Sequence, residues 1–251
     1  MLSLSGRVAL VTGGSRGIGA GIARLFAQAG AHVVINFSRS REDAARVTAA
    51  IVADGGRAEA AQADVSDRQA VRAMIEAIVD RHGRLDVLVN NAGVAIDLPL
   101  SELTDAAWDR VIDVNLRGTF LCSQLAAPVM LAQRQGKIIN VSAATAIRGR
   151  KNGANYCAAK AGVIALTKCL ALELAPDIQV NCLLPGFTET ADVIERFGLS
   201  DPERRRQLTQ TIPLGRLAVT SDIARGALFL ASDLSNYVTG QTLCVNGGSF
   251  M

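Results

Sequence analysis

The chain has 251 residues, 49% hydrophobic and 4% aromatic, and 26 basic against 23 acidic side chains leave a net charge of +3. That length and apolar content suit one large α/β domain spanning residues 1–251, and so balanced a charge argues against nucleic-acid binding. Apolar runs are short and broken by charges, so no membrane span is expected, and the first residues lack the basic-then-apolar pattern of a secretory leader.

Short β-branched runs alternate with longer helical patterns along the chain. Strands are expected at residues 8–12, 32–36, 58–63, 85–90, 137–142, 179–184 and 242–245, several of them continuously apolar, as parallel strands buried on both faces are. Between them, amphipathic periodicity predicts helices near 17–29, 42–53, 68–81, 105–132, 154–174 and 222–231. The alternation implies right-handed crossovers and a Rossmann-like, doubly wound α/β fold: a seven-stranded parallel sheet with helices on both faces. Residues 190–211 break the rhythm, being polar with Gly198 and Pro202, and suit a substrate lid or a surface insertion.

The first strand runs into Thr12-Gly13-Gly14-Ser15-Arg16-Gly17-Ile18-Gly19, which opens the first helix. Glycines there let the backbone turn tightly and approach a pyrophosphate, and the helix N-terminus offers free N–H groups and partial positive charge. The second strand ends Ile35-Asn36-Phe37-Ser38-Arg39, with no Asp or Glu before Glu42 to meet free ribose hydroxyls. Ser38, Arg39 and Arg16 instead provide the hydroxyl donor and positive charge that a 2′-phosphate needs, which predicts NADPH/NADP+ over NADH.

Tyr156-Cys157-Ala158-Ala159-Lys160 puts a phenol and an ammonium on one face of the fifth predicted helix. A lysine beside a tyrosine favours phenolate and is expected to lower the phenol pKa toward neutral. The five cysteines are odd in number and widely spaced with no C-x-x-C, which suits reduced thiols in a cytoplasmic protein. His32 and His82 stand apart from other ligand types along the sequence, so no metal site is expected.

Together these residues resemble the short-chain dehydrogenases/reductases over nearly the whole chain. The match includes T-G-x-x-x-G-x-G from Thr12 to Gly19, Asp64-Val65, Asn90-Asn91-Ala92-Gly93, Asn115, Tyr156 with Lys160, and Pro185-Gly186. Within the family the chain is most similar to bacterial 3-oxoacyl-acyl-carrier-protein reductases, through Ala158–Val163 and Tyr237–Thr242. The resemblance implies interconversion of a carbonyl and a secondary alcohol, on a small molecule or an acyl thioester, by a homotetramer. Tyr156 is then the proton donor or acceptor, Lys160 lowers its pKa and holds the nicotinamide ribose, and Asn115 positions a water in a proton relay. Asp64 and Val65 contact adenine, Asn91, Ala92 and Gly93 line the cofactor, and Pro185, Gly186, Thr188 and Thr190 cover the nicotinamide.

The chain departs from the pattern in two places. Thirteen residues before the tyrosine, where the family has a serine that holds the substrate oxygen, stands Ala143. Ser142 is adjacent, but a shift of one residue along a strand points a side chain to the opposite face; Thr145 is another nearby hydroxyl. A neighbouring hydroxyl substitutes, the substrate does without, or the chain is a weakly active or non-catalytic NADPH-binding subunit that partners an active homologue. Second, Pro128 and Leu172 stand where acyl-carrier-protein reductases often carry docking arginines, which weakens the carrier as a partner. Basic runs at Arg148-Gly149-Arg150-Lys151 and Arg204-Arg205-Arg206 suit either a solvated loop or an anion at the site mouth.

Overall fold

The computed structural model describes residues 2–250. Seven strands, β1 (Val8–Val11), β2 (His32–Phe37), β3 (Arg57–Gln62), β4 (Val87–Asn90), β5 (Gly136–Val141), β6 (Ile178–Pro185) and β7 (Thr242–Val245), form one sheet in the order β3-β2-β1-β4-β5-β6-β7. Every pairing is parallel. Strand β1 is apolar throughout and β4 is apolar up to Asn90, since each is buried on both faces. Alternate residues divide between two cores. Ala9, Val11, Val33, Ile35, Val87 and Val89 join one; Val8, Leu10, Val34 and Leu88 join the other.

On the first face lie α1 (Gly17–Gln28) and α10 (Thr220–Ala231), with α2 (Arg41–Ala53) beside them. On the second lie α3 (Arg68–His82), α5 (Gly118–Ala132) and α7 (Ala154–Leu174). The segment expected as one helix at 105–132 is divided. It comprises α4 (Asp105–Ile112), a π-helical turn (Asp113–Arg117) and α5. The side chain of Asn115 explains the break: its Nδ2 donates to the carbonyl of Val111 at 2.9 Å, one helical turn back, and competes with the backbone for that acceptor.

A one-turn helix α6 (Thr145–Arg148) follows β5. Residues 190–211 hold α8 (Ala191–Phe197) and α9 (Pro202–Gln210), capped by Thr190 and Asp201. Leu199, Ile212 and Leu217 form a small core of their own beneath this segment, with Phe187 and Phe197 packed edge to face.

The two histidines, separate along the sequence, do meet a third ligand type in space. His32 opens β2, His82 closes α3, and β3 carries Glu59 between them. His82 Nε2 lies 2.8 Å from Glu59 Oε1, and the imidazole centroids are 4.2 Å apart. Strand pairing creates this cluster, which sequence spacing cannot reveal. Arg81 pairs with the other oxygen of Glu59, so the carboxylate already holds a cation and ties edge strand β3 to the end of α3.

Candidate active site

Strand order reverses between β1 and β4, and the loops leaving the carboxyl ends of the strands there enclose a cleft of about 820 Å³. All the sequence-predicted site residues except Gly19 and Asn115 line it. Those two stand directly behind its wall.

At one end the glycine-rich loop is held by hydrogen bonds from three directions. Asn91 Nδ2 donates to the carbonyls of Thr12 and Gly13, and Thr12 Oγ1 accepts from the backbone N–H groups of Asn91 and Ala92. Asn36 accepts from the N–H of Gly13 and donates to the carbonyls of Ala61 and Ala63. Gly19 packs so close to the carbonyl of Gly13 that any side chain there would displace the loop. Asn36 supports the loop from the end of β2, a role that carries no local signal in the sequence.

Beyond the loop, Arg16, Ser38 and Arg39 are exposed on the cleft wall. Among the described residues no carboxylate pairs with Arg16 or Arg39, whereas most other arginines on the cleft are neutralised: Arg110 by Asp64, Arg150 by Asp97 and Arg196 by Asp192. Burial pushes the Asp64 carboxyl up, but hydrogen bonds from Ser66 and the nearby Arg110 guanidinium outweigh it and hold the group ionised.

At the other end, α7 presents Tyr156 and Lys160 one turn apart. Lys160 Nζ donates to the carbonyl of Val141 at 2.8 Å and lies 5.9 Å from the centre of the Tyr156 ring. Burial lowers the Lys160 pKa to about 8. Tyr156 does not follow the expectation of a lowered pKa: burial pushes it up, and the cations that oppose this are Arg150 and then Arg196. The Arg150 guanidinium stands 4.7 Å from the ring centre, nearer than the lysine. Along the sequence Arg150 is one of a basic run, which carries no sign of this contact.

Asn115 is fully buried behind Gly93. Its Nδ2 donates to the carbonyls of Val94 and Val111, while its Oδ1 has no partner. A side-chain carbon on Gly93 would lie 2.7 Å from that oxygen and 3.6 Å from Lys160 Nζ, so the bare glycine leaves both groups reachable from one point. An orphaned acceptor beside a buried ammonium suits a bridging water.

Ala143 and Thr145 line the cleft with Tyr156. Ser142, named as the candidate substitute, is 3% exposed and its hydroxyl donates to the carbonyl of Lys160 at 2.8 Å. The residue borders the cleft, but it continues the strand alternation toward α7, and its one proton is committed to that helix. Thr145 Oγ1 is buried without a partner.

Comparison with known proteins agrees with this architecture. A family model described as enoyl-(acyl carrier protein) reductase matches residues 13–249. A 3-oxoacyl-acyl-carrier-protein reductase of Staphylococcus aureus (strain Mu50) is 49% identical over 244 residues, covering 97% of this chain and 98% of its own. One from Thermotoga maritima is 41% identical over 249 residues, covering 98% and 99%. The crystal structure of a gluconate 5-dehydrogenase from Burkholderia cenocepacia, in complex with NADP and tartrate, superposes with a TM-score of 0.92 at 38% identity, covering 99% of this chain and 96% of that one. With this fold, glycine-rich loop and Tyr156/Lys160 pair, the chain belongs to the short-chain dehydrogenase/reductase family of oxidoreductases.

Proposed function

We propose that the protein is an NADPH-dependent carbonyl reductase and that its substrate is a 3-oxoacyl thioester. The observation that carries the cofactor choice is the pair of unopposed guanidiniums, Arg16 and Arg39, where a carboxylate would favour free ribose hydroxyls. When bound, NADPH supplies the hydride. The glycine-rich loop would hold its pyrophosphate, and Arg16, Ser38 and Arg39 its 2′-phosphate. Asp64 and Val65 would meet adenine. Asn91, Ala92 and Gly93 would line one side of the cofactor, with Pro185, Gly186, Thr188 and Thr190 over the nicotinamide.

Tyr156 is the proton donor in this reading. Its phenol, raised by desolvation, stays protonated at neutral pH, and Arg150 and Arg196 favour the phenolate left after transfer, with Lys160 5.9 Å from the ring centre. Lys160 passes a proton back from solvent through a water held at Asn115 Oδ1. The alternative of a non-catalytic NADPH-binding subunit is not favoured, since the Tyr156/Lys160 pair is intact and near-full-length relatives are named as reductases.

A sugar acid is the second substrate reading. Arg148 stacks 5.7 Å from the centre of the Phe187 ring on the cleft, and among the described residues no carboxylate pairs with it. It suits a carboxylate as well as a phosphate on a thioester arm. We further infer a homotetramer, from apolar outer faces on α5 and α7, and a cytoplasmic setting, from five free cysteines.

Initial rates with NADPH and with NADH, each against acetoacetyl thioesters and 5-ketogluconate, test the proposal. The expected result is at least about a tenfold higher kcat/KM for NADPH, with Arg39→Asp reversing the preference. A preference for NADH removes the cofactor assignment. Turnover of the sugar acid alone removes the thioester.

A further inference from the structure

We propose that Thr145 supplies the hydroxyl that holds the substrate's carbonyl oxygen, in place of the donor that Ala143 lacks. The inference rests on the carbonyl-reductase reading above. Reduction turns a carbonyl oxygen into an alkoxide-like oxygen, and an active site gains most by aiming fixed donors at it. Tyr156 provides one. The backbone position that would carry a second provides only the methyl of Ala143 on the cleft wall. Ser142 gives its proton to the carbonyl of Lys160, so it has none left for the substrate.

Thr145 is two residues past Ala143, opens α6 and lines the same wall. Its Oγ1 is one of five buried side-chain polar atoms without a partner among the described residues, and the only hydroxyl of the five. An unpaired buried hydroxyl is destabilising, and valine would fill the same volume without that cost. The fold therefore recovers nothing from this oxygen as it stands. Threonine in a helix divides between two χ1 wells, and a 120° rotation about Cα–Cβ carries the hydroxyl to the place of the methyl. Facing the cleft, the hydroxyl meets an acceptor only when a carbonyl oxygen is there.

The chemistry balances without consuming Thr145. The hydride reduces the carbonyl carbon, the O–H bond of Tyr156 breaks as one forms on the substrate oxygen, and NADPH leaves as NADP+. Thr145 keeps its proton and donates a hydrogen bond throughout.

The test compares wild type, Thr145→Val, Thr145→Ser, Ser142→Ala and Tyr156→Phe, with NADPH fluorescence titration to verify an intact cofactor site in each. Thr145→Val is expected to lower kcat by about 10²-fold with NADPH affinity unchanged, and Thr145→Ser to retain most of it. In the double variant Ala143→Ser/Thr145→Val, the new serine is expected to restore the rate, a rescue that a packing role for Thr145 would not give. Thr145→Ala takes the place of valine if valine disturbs the fold. In the unreactive complex of NADP+ with a ketone, the carbonyl stretch should move to higher frequency in Thr145→Val, as a lost hydrogen bond requires. If Tyr156→Phe loses activity while Thr145→Val keeps wild-type kcat and the same carbonyl band, the role of Thr145 is overturned and the reductase reading stands. If neither substitution lowers kcat, the reading of Tyr156 fails and takes this inference with it.

Discussion

At the level of single residues, the proton chemistry is set by burial more than by charge pairing. The sequence placed an ammonium beside a phenol and suggested a lowered tyrosine pKa. In the fold both groups lose water, and desolvation penalises the charged form of each. Lys160 falls to about 8 and Tyr156 rises. At neutral pH the pair is therefore a neutral phenol beside an ammonium, the state that donates a proton during reduction. The sign of the pH dependence follows. Below about 8 Lys160 is charged and supports transfer; above it the ammonium is lost. We predict a plateau in kcat/KM for reduction at neutral pH that declines as pH rises through about 8. A pH–rate profile checks this, and Lys160→Met should lower the plateau and abolish the step near 8. A profile that rises through the same range would refute the assignment.

At the level of elements, periodicity located strands and helices well, because buried parallel strands and amphipathic helices carry strong local patterns. The glycine-rich loop and Tyr156/Lys160 were legible for a related reason: their spacing is itself the geometry. Two kinds of feature were not legible. Side-chain hydrogen bonds to backbone leave no trace in an apolar pattern, so the helical periodicity of residues 105–132 runs through the π-helical turn at Asn115 without a break. A contact between distant elements, such as the meeting of His32, Glu59 and His82, exists only once the sheet is assembled, and Arg150 reaches the Tyr156 ring only through the fold of the loop that precedes α7. Helices α8 and α9 were hidden by their polarity, since their small core draws residues from both sides of the segment. The π-helical turn yields a prediction of its own. Replacing Asn115 with Leu removes two donors to buried carbonyls and the orphaned Oδ1 together. Stability should fall by roughly 1–3 kcal/mol, read as a lower Tm. If Oδ1 also holds the relay water, kcat should fall by about 10²-fold or more while NADPH titration is unchanged. A lower Tm with unaltered kcat would leave the residue a structural role only.

At the level of the whole molecule, the cleft is backed by helices whose outer sides are as apolar as their inner ones. Helix α5 exposes Phe120, Pro128 and Leu131 at helical spacing, with only Gln124 polar among them. Helix α7 exposes Ala158, Ala161, Ala165 and Cys169 in a row of small side chains that ends at Leu172, which is 84% exposed, with Lys168 and Glu173 the exposed charges near its end. An outer face this rich in apolar and small side chains marks an interface. Pro128 and Leu172 both lie on these faces and add to their apolar character. The same helix that carries Tyr156 and Lys160 inward thus presents its small residues outward, where a second copy can approach closely. Covering two such faces by closed symmetry gives the homotetramer proposed above. We predict a four-chain mass by light scattering. Phe120→Asp with Leu172→Asp should reduce it to smaller species with unchanged far-ultraviolet dichroism. Because α7 supports the catalytic pair from that interface, kcat should fall with dissociation and recover at high protein concentration. A monomeric wild type, or a tetramer indifferent to both charges, would place the interface elsewhere.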